Sequence, residues 1–257
     1  MDFDLSKKAE AFTFELTKKG VTTIPKLAVW AALDISGSMD DEIRDGKMQS
    51  MLDQFGGVAI KLDDNGEIDV VKFDDQVEQV GTWTAGDFKT FVKNRGIRAR
   101  GGTAYSPFIR YIDSQLYGAN SVTYQTITKT REVKGFMGFG KKTESYSERV
   151  PVAAGTTAAK KPALVLVMTD GEPASENINR IKDALSACTA NPIFFAFIGL
   201  SNQGNGRFPT LVELERQYEN VGFIQAKFNA SDEQLYADLV TDKLVGFLNR
   251  FPASVTA

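Results

Sequence analysis

Two uninterrupted apolar runs in this chain each stop at an aspartate, and that pairing constrains the fold more than any other feature. Leu27-Ala28-Val29-Trp30-Ala31-Ala32-Leu33 ends at Asp34, and Leu164-Val165-Leu166-Val167-Met168-Thr169 ends at Asp170. A run that is apolar at nearly every position suits a strand covered on both faces. Helical spacing follows the first run, from Asp41 through Leu62. Ile68–Phe73 and Gln76–Trp83 then predict a hairpin, with the turn Asp63-Asp64-Asn65-Gly66 before it. Further along, the pattern predicts helices over Asp87–Asn94, over Ser175–Cys188 and over Thr210–Tyr218, and one starting near Pro107. Strands are expected over Ile193–Leu200 and Val221–Phe228, and a terminal helix over Asp232–Arg250 with Ser231 as its cap. Residues 5–19 fit a short amphipathic helix or strand ending at Gly20.

Strands that alternate with helices imply a mostly parallel central sheet with helices on both faces, a Rossmann-like, doubly wound α/β fold. The whole chain, 1–257, is expected to be a single domain. In such sheets ligands bind beyond the carboxyl ends of the strands, where the strand order reverses. Asp34 and Asp170 both stand at strand carboxyl ends. Ser36 and Ser38 follow Asp34 in a tight turn around Gly37, and Thr103 lies in the glycine-rich loop Arg100-Gly101-Gly102-Thr103. Two carboxylates and three hydroxyls converging on one rim make a small site for a hard cation. Mg²⁺ suits that set best, and Mn²⁺ or Ca²⁺ can use the same oxygens.

The motif Asp34-Ile35-Ser36-Gly37-Ser38-Met39, with Thr103 and Thr169-Asp170-Gly171, resembles the metal-ion-dependent adhesion site of von Willebrand factor A domains. Lys18-Lys19-Gly20, Ser36-Gly37-Ser38-Met39, Phe73-Asp74 and Arg100-Gly101-Gly102-Thr103 are similar to intracellular, tellurium-resistance-type members. The resemblance covers roughly residues 20–250, apart from 118–161. It implies that Ser36 and Ser38 ligate the metal directly, and Thr103 directly or through water. Asp34 and Asp170 would act largely through water or from behind those ligands. It also implies a protein partner whose carboxylate completes the coordination, with Arg98 and Arg100 helping to attract that acidic group. The implied setting is a stress response in the cytoplasm. Similar genes also occur in bacteriophages, where a virion component is the corresponding expectation.

Residues 118–161 interrupt the domain pattern. Val122–Thr130 and Thr143–Val150 are rich in β-branched and hydroxyl residues, and they flank the glycine-rich stretch Lys134–Lys142. The expectation is an inserted β-ribbon with Phe136, Met137, Phe139, Lys141 and Lys142 at its tip as a partner-binding patch. The segment holds eight Lys/Arg and three Glu, so it carries +5 and leaves −8 for the rest of a chain whose net charge is −3. This asymmetry suggests docking onto an acidic surface, including self-association through residues 121–150. An alternative function is therefore a structural or assembly protein in which the metal acts as a brace.

Composition narrows the chemistry. The chain has no histidine, which removes imidazole bases, Ser-His-Asp triads and His-ligated metals. Cys188 is the sole cysteine and sits with Ile181 and Leu185 on one helix face, as a small buried hydrophobe would. A net charge of −3 argues against a uniformly basic nucleic-acid binder, and no apolar run is long enough for a membrane span. Gly135-x-x-x-x-Gly140-Lys141 imitates a phosphate-binding loop, but Lys142 stands where a Ser or Thr must hold Mg²⁺. Without an evident general base, metal-assisted phosphate-ester hydrolysis is the weakest reading, and the chain is expected not to be an enzyme.

Overall fold

Both apolar runs are central strands in the computed structural model, which describes residues 3–118, 123–134, 141–152, 160–201 and 207–251. The chain divides into two compact units, one within 1–113 and 160–257 and the other within 114–159.

In the larger unit, α1 (Phe3–Lys18) precedes β1 (Ala28–Asp34), α2 (Asp40–Arg44), α3 (Lys47–Leu62), β2 (Ile68–Phe73), β3 (Val77–Trp83) and α4 (Phe91–Asn94). Next comes α5 (Ser106–Tyr117), whose residues from Ser114 onward belong to the smaller unit. The smaller unit contains β4 (Thr123–Lys134) and β5 (Lys141–Val152), paired antiparallel from Thr123↔Val152 to Lys134↔Lys141. The predicted tip residues Phe136, Met137 and Phe139 lie outside the described residues. The larger unit resumes with β6 (Ala163–Thr169), α6 (Ile178–Cys188), β7 (Ile193–Ser201), α7 (Pro209–Gln217), β8 (Val221–Lys227), α8 (Asp232–Leu239) and α9 (Asp242–Leu248).

Six strands form one sheet in the order β3-β2-β1-β6-β7-β8, and only β3 runs antiparallel. Alternate side chains on β1, β6 and β7 enter two apolar layers. Val29, Ala31, Leu33, Leu166, Met168 and Phe194 pack with α1, α3, α8 and α9. On the other face, Phe73 of β2 and Phe197 of β7 meet Tyr105 and Phe108 at the start of α5, with ring centroids 4.6–6.2 Å apart. The strand order reverses between β1 and β6, so the carboxyl ends of these two neighbours frame the ligand position expected of an open α/β sheet.

Four helix expectations are corrected. The segment 41–62 is two helices, because Gly46 takes a left-handed conformation (φ 77°) that breaks the spiral between α2 and α3. The terminal segment is also two helices: the chain leaves helical geometry at Val240, and the Thr241 hydroxyl accepts from Leu244 N to start α9. Over 87–94 only α4 is α-helical. Before it, Thr84 and Asp87 form a reciprocal cap around a single 3₁₀ turn. The helix expected from Ser175 begins at Ile178 behind an Asn177 cap, because residues 175 and 176 are engaged elsewhere. Ser231 caps α8 as anticipated. Among the described residues, no helix is long and apolar enough to cross a membrane.

Candidate metal centre

β1 and β6 pair in parallel with Leu33 opposite Met168, so Asp34 and Thr169 leave the sheet side by side. Asp34 is fully buried. One of its oxygens accepts from Ser36 N at 2.8 Å, and the other accepts from the Thr169 hydroxyl at 2.6 Å. The Ser36 hydroxyl also bonds Asp34 and lies 3.2 Å from the Ser38 hydroxyl. Ser38 in turn donates to Asp170 at 2.9 Å. Asp34, Ser36, Ser38 and Asp170 thus form one continuous run of oxygens. It passes from a fully buried carboxylate to an exposed hydroxyl.

Thr103 reaches the same rim through its backbone. Arg100 N donates to Ile35 O at 2.6 Å and Gly37 N donates to Gly101 O at 3.2 Å, so the two loops are laced together. Thr103 itself is buried. The glycine requirement differs from expectation. A side chain at Gly37 would meet only ordinary contact, 3.8 Å from Gly101 O. Gly101 instead has φ 69° with Asp74 3.0 Å from a would-be Cβ, and at Gly102 that atom would fall 2.1 Å from the Ser175 hydroxyl. Closeness is therefore demanded in the Thr103 loop, not at the turn between the serines.

Charge at the site is strongly one-signed. Burial pushes the Asp34 carboxyl up to about 6, and the neighbouring Asp170 charge adds to this. Hydrogen bonds from Thr169 and Ser36 pull the other way. Burial also raises Asp170, with the charge of Glu42 contributing. Among the described residues no ion pair reaches Asp34 or Asp170. The Arg100 guanidinium, expected to face a partner, is held by Asp74 at 2.7 Å and lies 3.6 Å from Glu78, while Arg98 is exposed. Among the described residues no group of three or more Asp, Glu, Cys or His side chains is arranged to hold a metal ion, so the hydroxyls must contribute. Two under-compensated carboxylates with hydroxyls between them fit a small hard divalent cation, whose charge would offset the burial of both acids.

Residues 26–249 match the family described as vWA-TerF-like, the von Willebrand factor A domain found in the C terminus of TerF. The chain belongs to this family. A likeness across 93% of this von Willebrand factor A chain, and 84% of the other, links it to the uncharacterized protein YcbR of Bacillus subtilis (strain 168) at 25% identity. The structure of proximal thread matrix protein 1 from the mussel byssus is similar over 87% of the chain, with a TM-score of 0.55 at 17% identity. The chain spans 48% of that mussel protein's length, and the likeness is one of fold.

Three residues of this von Willebrand factor A site, Tyr105, Glu42 and Glu176, were not expected from the sequence, and a fourth, Thr169, entered only as part of the motif around Asp170. Thr169 ties Asp34 to β6. Tyr105 is buried, and its hydroxyl donates to Gly171 O at 2.6 Å. Glu42 is buried on α2 and raises Asp170 through its charge. Glu176 accepts from the start of α5. Thr169 carried the clearest signal, as the only hydroxyl in an apolar strand and the residue just before Asp170.

Proposed function

We propose that this chain is a divalent-cation-dependent protein-binding module, in which Asp34, Ser36, Ser38, Thr103 and Asp170 hold Mg²⁺ or a similar ion. The supporting observation is the run of oxygens that climbs from buried Asp34 to exposed Ser38 beside two carboxylates raised by burial. When bound, the ion would offer a coordination position to a carboxylate from an acidic partner. Ser36, which is buried, and Ser38, which is exposed, supply neutral oxygens, and Asp34 fixes their turn by accepting from Ser36. Thr169 and Tyr105 anchor the acidic loop from below. Binding is favoured over catalysis because the chain has no histidine to serve as a base and because Asp34 and Asp170 are both tied into the oxygen run by hydroxyl hydrogen bonds. The TerF-type family match supports a cytoplasmic, tellurium-resistance-type setting.

Affinity capture from the native host tests this reading. A protein retained in Mg²⁺ should be lost in EDTA, and Ser38→Ala should weaken capture by about tenfold or more. Capture that survives both changes would overturn the bridge.

Self-association is the second reading, favoured by the charge contrast between +5 in 118–161 and −8 elsewhere. Deleting residues 121–150 should convert an oligomer of the purified chain to a monomer in mass measurements. The same number of protomers before and after deletion would exclude assembly through the ribbon.

A further inference from the structure

Every residue from Gly102 to Ser106 is tied to another segment, and most of the ties run to the stretch just after Asp170. Gly102 N donates to Asp75 at 3.0 Å, and Asp75 also accepts from the Ser175 hydroxyl. Ser175 N donates to Thr103 O at 3.1 Å, and Ala104 N donates to Asp74 O at 3.0 Å. Glu176 takes the next two residues. One of its oxygens accepts from Tyr105 N and, at 2.9 Å, from Ser106 N. The other accepts from the Ser106 hydroxyl.

The start of a helix leaves several N–H groups without partners inside the helix, and a carboxylate there also meets the favourable end of the helix dipole. α5 draws that carboxylate from 70 residues away. The choice has a geometric consequence. Thr103 lies three residues before Ser106, and Asp170 lies six before Glu176, so the clamp fixes the two metal loops against each other.

We infer that Glu176 is a positioning residue that holds Thr103 at ligating distance from the ion. The inference rests on the metal reading above and adds a residue that never touches the ion. With Glu176 in place, Tyr105 and Ser106 are bound to the stretch that follows Asp170. Without it, Ser175 N and Asp74 O still hold the loop, but the start of α5 is released and the Thr103 hydroxyl gives way to water.

Mn²⁺ titration of the purified chain, followed by water-proton relaxation, reads both affinity and the number of waters on the bound ion. Glu176→Ala should weaken Mn²⁺ binding roughly 10–100-fold. It should also add about one water per bound ion, raising the relaxivity of the complex. Glu176→Gln keeps an acceptor oxygen for the two N–H groups and should stay within about threefold of the parent in affinity, with unchanged relaxivity. Should the alanine variant fail to fold, Glu176→Asp keeps the charge on a shorter arm and should show the same gain of water.

A purely structural cap would lower thermal stability and leave the relaxivity of bound Mn²⁺ untouched, and that result would overturn the inference alone. No Mn²⁺ binding by the parent chain would instead remove the metal reading, and this inference with it.

Discussion

Asp34→Asn is expected to abolish divalent-cation binding and, in the same molecule, to make the cation-free protein more stable at neutral pH. Asp34 is fully buried, and burial carries its carboxyl from 3.8 to about 6. For an acid whose folded pKa lies above its unfolded one, the protonated form is favoured by folding. Its contribution to stability is therefore complete below pH 3.8, declines as pH rises through 6, and is absent above that. The gap of about two pKa units corresponds to at most about 3 kcal/mol at pH 7. Asparagine removes the charge and keeps an oxygen for Ser36 N. Its amide can donate to Thr169, whose proton then turns toward Gly171 O, 3.3 Å away. Ser36 N and the Thr169 hydroxyl thus both keep a partner. Without cation, the variant should melt several degrees above the parent at pH 7 and converge with it near pH 4. Saturating Mg²⁺ should raise the melting temperature of the parent alone. Asp53, also raised to about 6 by burial, keeps its own pH slope in both proteins and serves as an internal control. A variant that is less stable than the parent at pH 7, and still gains stability from Mg²⁺, would contradict both halves of the argument.

The parts of the molecule that are legible in sequence are those whose cause is local or periodic. β1 and β6 are apolar at almost every position because both faces of the sheet are covered, so their ends at Asp34 and Thr169 could be placed within a residue. The two carboxylates were legible for the same reason: an acid that terminates a buried strand has few ordinary explanations. The helix breaks were not. Apolar spacing continues in phase across Gly46 and across Val240-Thr241, and only the backbone turn at each point separates the helices. The hydrogen bonds made by Thr169 and Glu176 were not legible, for another reason. Their partners, Asp34 and Ser106, lie 135 and 70 residues away, and no local pattern records such a pairing. Gly56 and Gly57 show the converse, a local anomaly with a distant cause. Two glycines in the middle of α3 weaken a helix, and the spacing from 41 to 62 gives no reason for them.

That reason predicts the sign of a substitution which helix propensity alone gets wrong. Gly57→Ala should stabilise an isolated helix by about 1 kcal/mol. In this protein it should destabilise the fold by about 2–4 kcal/mol. A Cβ at Gly57 would lie 2.5 Å from the Tyr236 hydroxyl, 2.8 Å from Lys8 Cβ and 2.9 Å from the Lys8 backbone carbon. None of these can yield cheaply. Tyr236 is fully buried and donates to Gln54 O at 2.7 Å, so displacing it breaks a buried hydrogen bond. Lys8 belongs to α1 and is held to Asp232 of α8 at 2.7 Å, so its backbone moves only if α1 lifts from α3. Gly56 makes the same demand on the other side, since a Cβ there would fall 2.3 Å from the buried Trp83 ring. Gly246, in α9, is the control: it is exposed and has nothing within 4 Å of a would-be Cβ. Gly246→Ala should therefore follow propensity and add about 0.5–1 kcal/mol. Urea denaturation of the two variants should give shifts of opposite sign at an unchanged slope. Matching gains would mean that α1 does not sit against the bare backbone of α3, and the two glycines would lose their explanation.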